Sequence, residues 1–202
     1  MSEHQILLNG DEVRAILEGR KTQVRRVIKP QPEIFNEGHS WIWEHSPGWR
    51  AAGINAGLES LSMQLVALCR YGKVGDRLWV RETWLPFDAH DIFNGRRYAY
   101  AADTQPGSDG DQARIDLGYK WRSSSSMPRC ASRITLEITD VRAERIQNIT
   151  PMDARAEGSY LATDPDDEGG FINLWDSIND KRGYGWSTNP WLWVVEFKRV
   201  AQ

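Results

Sequence analysis

Alternating apolar and polar positions predict most of the strands in this chain. The clearest case is residues 133–139, where Ile134, Leu136 and Ile138 alternate with polar residues. This period of two is typical of a strand that buries one face. A segment that is apolar on both sides indicates a central or closing strand, and residues 191–200 have this pattern. Further strands are predicted at residues 5–8, 77–82 and 98–101.

Helical periodicity is confined to short segments. Val13, Ile16 and Leu17 fall on one face of a helix over residues 12–18, and Asp11 suits its N-cap. A later helix starts with Thr150-Pro151-Met152-Asp153 and ends at Glu157-Gly158, as helix caps and the helix dipole favour. A third helix is predicted to carry Phe171, Leu174, Trp175 and Ile178 on one face.

Many short strands, a few short helices and a last strand that returns to the first predict an α+β fold built on a small mixed β-barrel. A doubly wound sheet is disfavoured, because strands and helices do not alternate and no Gly-rich phosphate loop is present. The 202 residues fit one domain. The regular pattern is lost over about residues 31–70 and 103–128, which we interpret as insertions.

The overall charge bears on the class of partner. The formal net charge is −3, so any contact with nucleic acid has to come from a local basic patch. No apolar run approaches the roughly 20 residues of a membrane helix, and the N-terminus lacks the apolar stretch of a signal peptide. Cys69 and Cys130 have neither disulfide nor metal-ligand spacing. We therefore expect a reducing cytoplasm, no membrane contact, no metal and no cofactor.

A cluster of positive charge follows the first helix, where Arg20, Lys21, Arg25 and Arg26 fall within seven residues. Such a cluster attracts anions, although a solvated basic edge strand is the alternative. The candidate carboxylates are Glu82 and Glu157. They could accept hydrogen bonds from the exocyclic amine of a base, or they could neutralise the arginines in ion pairs.

Ten tryptophans are the unusual feature of the composition. Most are expected in the core, since tryptophan carries a large apolar surface. A minority could stack on bases, and Trp84 is the preferred candidate. Arg81 lies in the predicted strand 77–82 and shares one face of it with Trp79. It is a further candidate for ligand binding.

Three segments resemble the ASCH domains of the PUA-like superfamily. They are Gly19-Arg20-Lys21-Thr22 with Arg26, residues 75–84 (GDRLWVRETW) and residues 193–198 (WVVEFK). The form with these insertions resembles a subfamily found in phages and prophages. The resemblance implies a small β-barrel with helices around a cleft that binds RNA or nucleotides.

One branch of that family is similar to small amidohydrolases that remove the acetyl group from N4-acetylcytidine. They use a Lys, a Thr three residues later and a Glu beyond a short helix, and Lys21 and Glu157 match the first and the last. Val24 stands at the Thr position and has no oxygen to attack an acyl carbon. Thr22 shares the strand face of Val24 but is displaced by roughly 7 Å.

The first hypothesis is a binding module whose cleft recognises a nucleobase or nucleotide, modified or not, within RNA or DNA. Lys21, Glu82 and Glu157 are predicted to meet in this cleft. The full set of predicted binding residues is Arg20, Lys21, Thr22, Arg25, Arg26, Arg81, Glu82, Trp84 and Glu157.

Two other hypotheses stay open. The chain could be an amidohydrolase with Lys21 as base, Glu157 as orienting group or acid, and Thr22 or water as nucleophile. If Lys21 and Glu157 are placed as the resemblance implies, Val24→Thr is predicted to gain hydrolysis. Alternatively, a phage-encoded protein could bind a host protein through the two insertions.

Overall fold

The computed structural model describes residues 1–47, 49–87, 97–158 and 168–200. These residues form ten strands and five α-helices, which confirms the predicted α+β class. The strands are β1 (Glu3–Leu7), β2 (Gln23–Val27), β3 (Glu33–Phe35), β4 (Ser40–Ser46), β5 (Trp49–Gly53), β6 (Arg77–Arg81), β7 (Trp84–Pro86), β8 (Tyr98–Tyr100), β9 (Thr135–Arg145) and β10 (Trp191–Val200). The helices are α1 (Gly10–Leu17), α2 (Gly57–Ala67), α3 (Asp109–Asp116), α4 (Pro151–Ala156) and α5 (Glu168–Asn179).

The main sheet contains five strands in the order β1-β6-β9-β10-β2. β1 and β6 run parallel, and the other neighbours are antiparallel. β10 pairs with β9 on one side and with β2 on the other, which is why its sequence is apolar on both faces. Within the described ranges, β1 and β2 are the two edges of this hydrogen-bonded ladder.

The first helix starts earlier than the sequence suggested. Asn9 is its N-cap in place of Asp11, and Asn9 and Glu12 form reciprocal side chain–backbone hydrogen bonds of 2.9 Å. This capping box satisfies two backbone N–H groups that a helix start leaves open. Gly19 ends the turn after α1 with a φ of 75°, a conformation that glycine adopts without strain. The chain then enters β2.

Residues 31–70 are part of the core. Trp43, Leu61 and Leu65 are fully buried in the same apolar cluster as the main sheet. The ring of Trp43 packs edge to face against Trp193 of β10, with 6.5 Å between the ring centroids. The segment expected to be an insertion therefore completes the core of the domain.

Residues 103–128, in contrast, lie outside the main core. The helix within them, α3, has no buried residue. Met127, near their end, is buried with Trp84 and Ala131 in a small cluster separate from the main core. This segment covers the β7–β8 side of the molecule.

We predict that Trp43→Ala destabilises the whole domain, because it removes a large side chain that joins residues 31–70 to β10. The free energy of unfolding should fall by roughly 3–5 kcal/mol, measured by urea denaturation followed by circular dichroism. Met63→Ala is the control on the same segment, since Met63 is 63% exposed. An unchanged midpoint, or a separate early transition with the main one intact, would show that this segment folds independently.

Candidate functional site

A cleft of about 830 Å³ lies beside the edge strand β2, bordered by α1, α5 and the segment after α2. Its lining contains more cations than anions, with eight cationic and four anionic side chains among the described residues. The cations are Arg14, Arg20, Lys21, Arg25, Arg26, Lys29, Arg70 and Arg182, and the anions are Asp11, Glu12, Glu18 and Glu157. A local excess of positive charge on an acidic chain is the electrostatic pattern that a polyanion site requires.

Lys21 and Glu157 come together in this cleft, as predicted. The Lys21 Nζ lies 2.9 Å from Glu157 Oε2 and donates a second hydrogen bond of 2.9 Å to the Glu157 carbonyl. Glu12 Oε1 is 4.0 Å away. The Lys21 side chain is only 2% exposed, so its charge is balanced by carboxylates inside the protein.

Arg25 is the most deeply buried cation of the cleft. Its side chain is 1% exposed, and its guanidinium contacts Glu144 at 2.8 Å, Glu157 at 3.0 Å and Asp153 at 3.4 Å. A buried charge is strongly unfavourable unless it is paired. The basic segment is therefore partly internal, and the interpretation of carboxylates that neutralise the arginines is correct for Arg25.

The local sequence fixes Glu157 above Lys21. Thr150 is the N-cap of α4, as predicted, and it also forms a capping box with Asp153, which sets the start of this short helix. Gly158 then follows with a φ of 75°. A Cβ atom at Gly158 would lie 2.9 Å from the Cβ atoms of both Ala15 and Lys21. Only glycine allows this close approach, which brings Glu157 to Lys21.

Arg142 extends the ion-pair network and was missed by the sequence analysis. This β9 residue contacts Asp153 at 2.7 Å and Glu144 at 3.4 Å, and it also pairs with Glu196 of β10. A signal was available, because Arg142 and Glu144 alternate with Val141 and Ala143 and so share one face of the strand.

The network controls the ionisation of Asp153. Burial raises the pKa of this carboxyl, but hydrogen bonds from Thr150 and the charges of Arg25 and Arg142 together lower it further than burial raises it. The net pKa is therefore below its ordinary value of 3.8. Asp153 is held as a carboxylate by its cationic neighbours.

Arg26 connects the two edges of the main sheet. One Nη donates a 2.9 Å hydrogen bond to the Leu7 carbonyl of β1 and lies 3.4 Å from Glu12 Oε1. Arg20 pairs with Glu18 and donates to the Gly158 carbonyl at 3.1 Å. Both side chains remain partly accessible to solvent, unlike Arg25.

Three further cations of the cleft are exposed and were not predicted. Lys29 follows β2, Arg70 follows α2, and Arg182 ends the 3-10 turn Asp180–Arg182. None of them forms an ion pair with a carboxylate in the part of the chain that the structure describes. Their charge is available to an anionic ligand. Only Lys29 had a sequence signal, since it continues the basic segment.

Helix α5 supplies an apolar surface, because its predicted apolar face lines the same cleft. Phe171 and Trp175 are buried and stack with 6.2 Å between ring centroids. Leu174 and Ile178 are 42% and 46% exposed. The cleft therefore combines accessible positive charge with an accessible apolar surface.

Glu82 does not share this cleft, and the prediction of a common site with Lys21 and Glu157 is wrong in this respect. Its carboxylate is 2% exposed and binds Arg133 in two hydrogen bonds of 2.9 and 3.0 Å. Burial raises the pKa of Glu82, while the hydrogen bonds and charge of Arg133 oppose that change. Asp103 also pairs with Arg133 at 2.6 Å, so these groups form a separate internal network.

Trp84 and Arg81 also lie outside the large cleft. The ring of Trp84 is 5% exposed and packs edge to face against Tyr98, with 5.7 Å between centroids, so no open ring face remains for a base. The Arg81 Nε donates to the Ser124 carbonyl at 3.0 Å. Arg81 therefore anchors the segment after α3.

The two positions considered for the nucleophile are separated from the cleft. Val24 is fully buried in the main core, so a hydroxyl introduced there would lie among apolar side chains. This placement removes the basis for expecting hydrolysis from Val24→Thr. Thr22 is exposed but does not line the cleft, and its backbone is held by hydrogen bonds to Ala156 and Phe197.

The described residues contain neither a candidate metal cluster nor a membrane-spanning helix. No group of three or more His, Cys, Asp and Glu side chains in these ranges is arranged to hold a metal ion. No helix in the described part of the chain has both the length and the apolar character needed to cross a membrane.

Comparison with known proteins adds no relative. No protein-family model matches the chain, and neither a curated protein nor a solved structure matches it significantly. The resemblance to ASCH domains therefore stays a prediction. The geometry of the cleft is the basis for the function proposed below.

We predict that Arg25→Ala destabilises the protein by roughly 3–5 kcal/mol, because it removes the buried cation that Glu144, Asp153 and Glu157 share and leaves their negative charge only partly compensated by Lys21 and Arg142. Thermal or urea unfolding measures this loss. The control is Arg50→Ala, whose ion pair with Glu44 is exposed at 3.8 Å and should contribute no more than about 1 kcal/mol. Equal losses in the two variants would contradict the buried-network interpretation.

The lowered pKa of Asp153 gives a prediction for acid stability. Its carboxylate stabilises the fold above the pKa of the unfolded chain, and this contribution is lost as the pH falls through the lower folded pKa. We expect Asp153→Asn to flatten the decline in the free energy of unfolding below about pH 4, the region of the ordinary value of 3.8. Parallel pH profiles for the variant and the wild type would contradict this assignment.

Proposed function

We propose that this protein binds a nucleotide within RNA or DNA through the cleft beside β2. One observation carries the proposal. Three exposed cations, Lys29, Arg70 and Arg182, line the same cleft as the exposed apolar residues Leu174 and Ile178 of α5. A nucleotide needs both of these surfaces, since its phosphate is anionic and its base is a flat apolar ring with polar edges.

The electrostatics support an anionic ligand. Phosphate contacts from Lys and Arg supply most of the affinity in non-specific nucleic-acid binding. In the acidic body of this chain, such contacts have to come from a local patch, and the cleft provides one. Its volume of about 830 Å³ also lies in the range of small-molecule and cofactor sites.

The buried and exposed cations of the cleft are assigned different roles. Lys21 and Arg25 are neutralised by Glu157 and its neighbours, so they shape the cleft and hold α4 against β2. Arg26 and the three exposed cations have accessible charge, so they make the phosphate contacts. The apolar face of α5 packs against the base, as aromatic and apolar surfaces do in single-strand binding.

We also propose that the main sheet is a partly open barrel of the PUA-like type. The bond from Arg26 of β2 to the Leu7 carbonyl of β1 supports this arrangement, because it spans the two edges that a barrel would close. The cleft would then lie at the opening between these edges.

The amidohydrolase hypothesis has one favourable observation, the 2.9 Å contact between Lys21 Nζ and Glu157 Oε2. However, the described lining of the cleft includes no Ser, Thr or Cys side chain that could attack an acyl group. Both carboxylate oxygens of Glu157 already accept hydrogen bonds, from Lys21 and Arg25. Binding is therefore the better supported function.

We expect no appreciable hydrolysis of N4-acetylcytidine at neutral pH, because the described lining of the cleft has no nucleophilic oxygen beside Lys21. Ultraviolet absorbance of the nucleoside measures the reaction. Turnover that is present in the wild type and lost in Lys21→Met would restore the amidohydrolase hypothesis, with water as the nucleophile.

The binding proposal predicts that the triple variant Lys29→Ala/Arg70→Ala/Arg182→Ala loses affinity for single-stranded oligonucleotides. Its salt dependence, measured as log K against log salt concentration by fluorescence anisotropy, should be shallower by about two units, because each phosphate contact contributes about 0.7 for a single strand. The side chains are exposed, so the fold should be unaffected.

The matched control for this experiment is Lys73→Ala/Lys181→Ala/Arg199→Ala. These cations are also exposed and lie outside the cleft lining, so the total charge changes by the same amount. A similar loss of affinity in both triple variants would mean that only net charge matters, and it would overturn the assignment of the cleft.

A further inference from the structure

A second cavity of about 500 Å³ adjoins the large cleft on the β1 side. Four residues line both cavities, namely Leu7, Arg26, Arg70 and Tyr71. Beyond them the second cavity is bordered by the exposed face of β1 and by Trp79 of β6. The two spaces therefore meet across one set of side chains.

We propose that these two cavities form one groove that binds a single nucleic-acid strand over several nucleotides. The inference rests on the proposed function and extends it, since it specifies the length and the single-stranded form of the ligand. One nucleotide occupies the large cleft against α5, and a base further along the same strand, beyond the reach of a dinucleotide, contacts Trp79.

The charges at the junction suit the phosphodiester backbone that runs between these two nucleotides. Arg26 is partly exposed there, and Arg70 is exposed and forms no ion pair with a described carboxylate. Both belong to the lining of both cavities. A phosphate that passes from one cavity to the other must therefore pass two guanidinium groups, which bind phosphate with directional hydrogen bonds.

Trp79 supplies an aromatic surface at the far end of the groove. Its ring is partly exposed, and the guanidinium carbons of Arg81 and Arg129 lie 5.5 and 5.9 Å from the ring centroid. The carboxylate of this cavity, Glu3, is paired with Arg129 at 3.0 Å, so it opposes an anionic strand less than a free carboxylate would. Arg81, a predicted binding residue, thus lies beside the groove rather than in the cleft.

A single strand fits these features better than a duplex. Tryptophan can stack on a base only when the base is unstacked from its neighbours. In a duplex both faces of each base are covered. The groove should therefore discriminate in favour of a single strand with free bases.

The test measures the affinity of the full chain for oligouridylates of increasing length, from a dinucleotide to an octanucleotide. The affinity for a duplex as long as the octanucleotide is measured for comparison. We expect the affinity to rise with length and to be lower for the duplex. Trp79→Ala should weaken octanucleotide binding roughly fivefold to 150-fold, as expected when one base–aromatic stack is lost. Its effect on the dinucleotide should be small.

The matched control is Trp121→Ala, because Trp121 is also partly exposed, with the Arg114 guanidinium carbon 5.3 Å from its ring centroid. It lines neither cavity and should leave both affinities unchanged. Trp79→Phe keeps an aromatic ring and should retain most of the octanucleotide affinity. Circular dichroism of each variant verifies the fold.

The negative results of this experiment distinguish a failure of the extended groove from a failure of the binding cleft. Equal affinity for the dinucleotide and the octanucleotide, or equal effects of Trp79→Ala and Trp121→Ala, would overturn the extended groove and leave the binding cleft in place. Preference for the duplex would also overturn it. Absence of binding at every length would overturn both proposals.

Discussion

The structure depends on the pairing of one buried guanidinium. Arg25 of β2 contacts Glu144 of β9 and two α4-region carboxylates, Asp153 and Glu157. Because an unpaired charge cannot be buried without a large penalty, strand β2, strand β9 and helix α4 are constrained to one arrangement. That arrangement also brings Glu157 to Lys21. The network thus sets one wall of the cleft, and its charges are neutralised within the protein.

The cleft contains both buried and accessible cations, and only the accessible ones can contact a ligand. Lys21 and Arg25 of the basic segment are engaged in structural contacts, while the accessible charge of the cleft comes from Lys29, Arg70 and Arg182, with Arg26 partly exposed. The segment over residues 31–70 contributes twice, since it completes the core through Trp43 and brings Arg70 and Tyr71 to the cleft. A segment that resembles an insertion in the sequence therefore contributes to both the core and the cleft.

The sequence predicted features that depend on local chemistry. The α4 cap follows from Thr150, strand alternation predicts β6 and the first part of β9, and a segment that is apolar on both sides predicts β10. The positions of residues that depend on tertiary packing are harder to predict from the sequence. Val24 was compared with a catalytic position, but the pairing of β2 with β10 turns it into the core. Glu82 was placed near the basic segment, but Arg133 holds it elsewhere. Arg70 and Arg182 have no local pattern, because only the fold brings them together.

The central claim is that ligand binding takes place in the cleft between the β2 edge and α5. The most direct measurement is the mapping of backbone amide chemical shifts during titration with a single-stranded oligonucleotide. We expect the largest changes in β2, in α5 and at Gly158, with smaller changes along β1. Changes concentrated around α3, β7 and β8, with β2 and α5 unaffected, would contradict the claim.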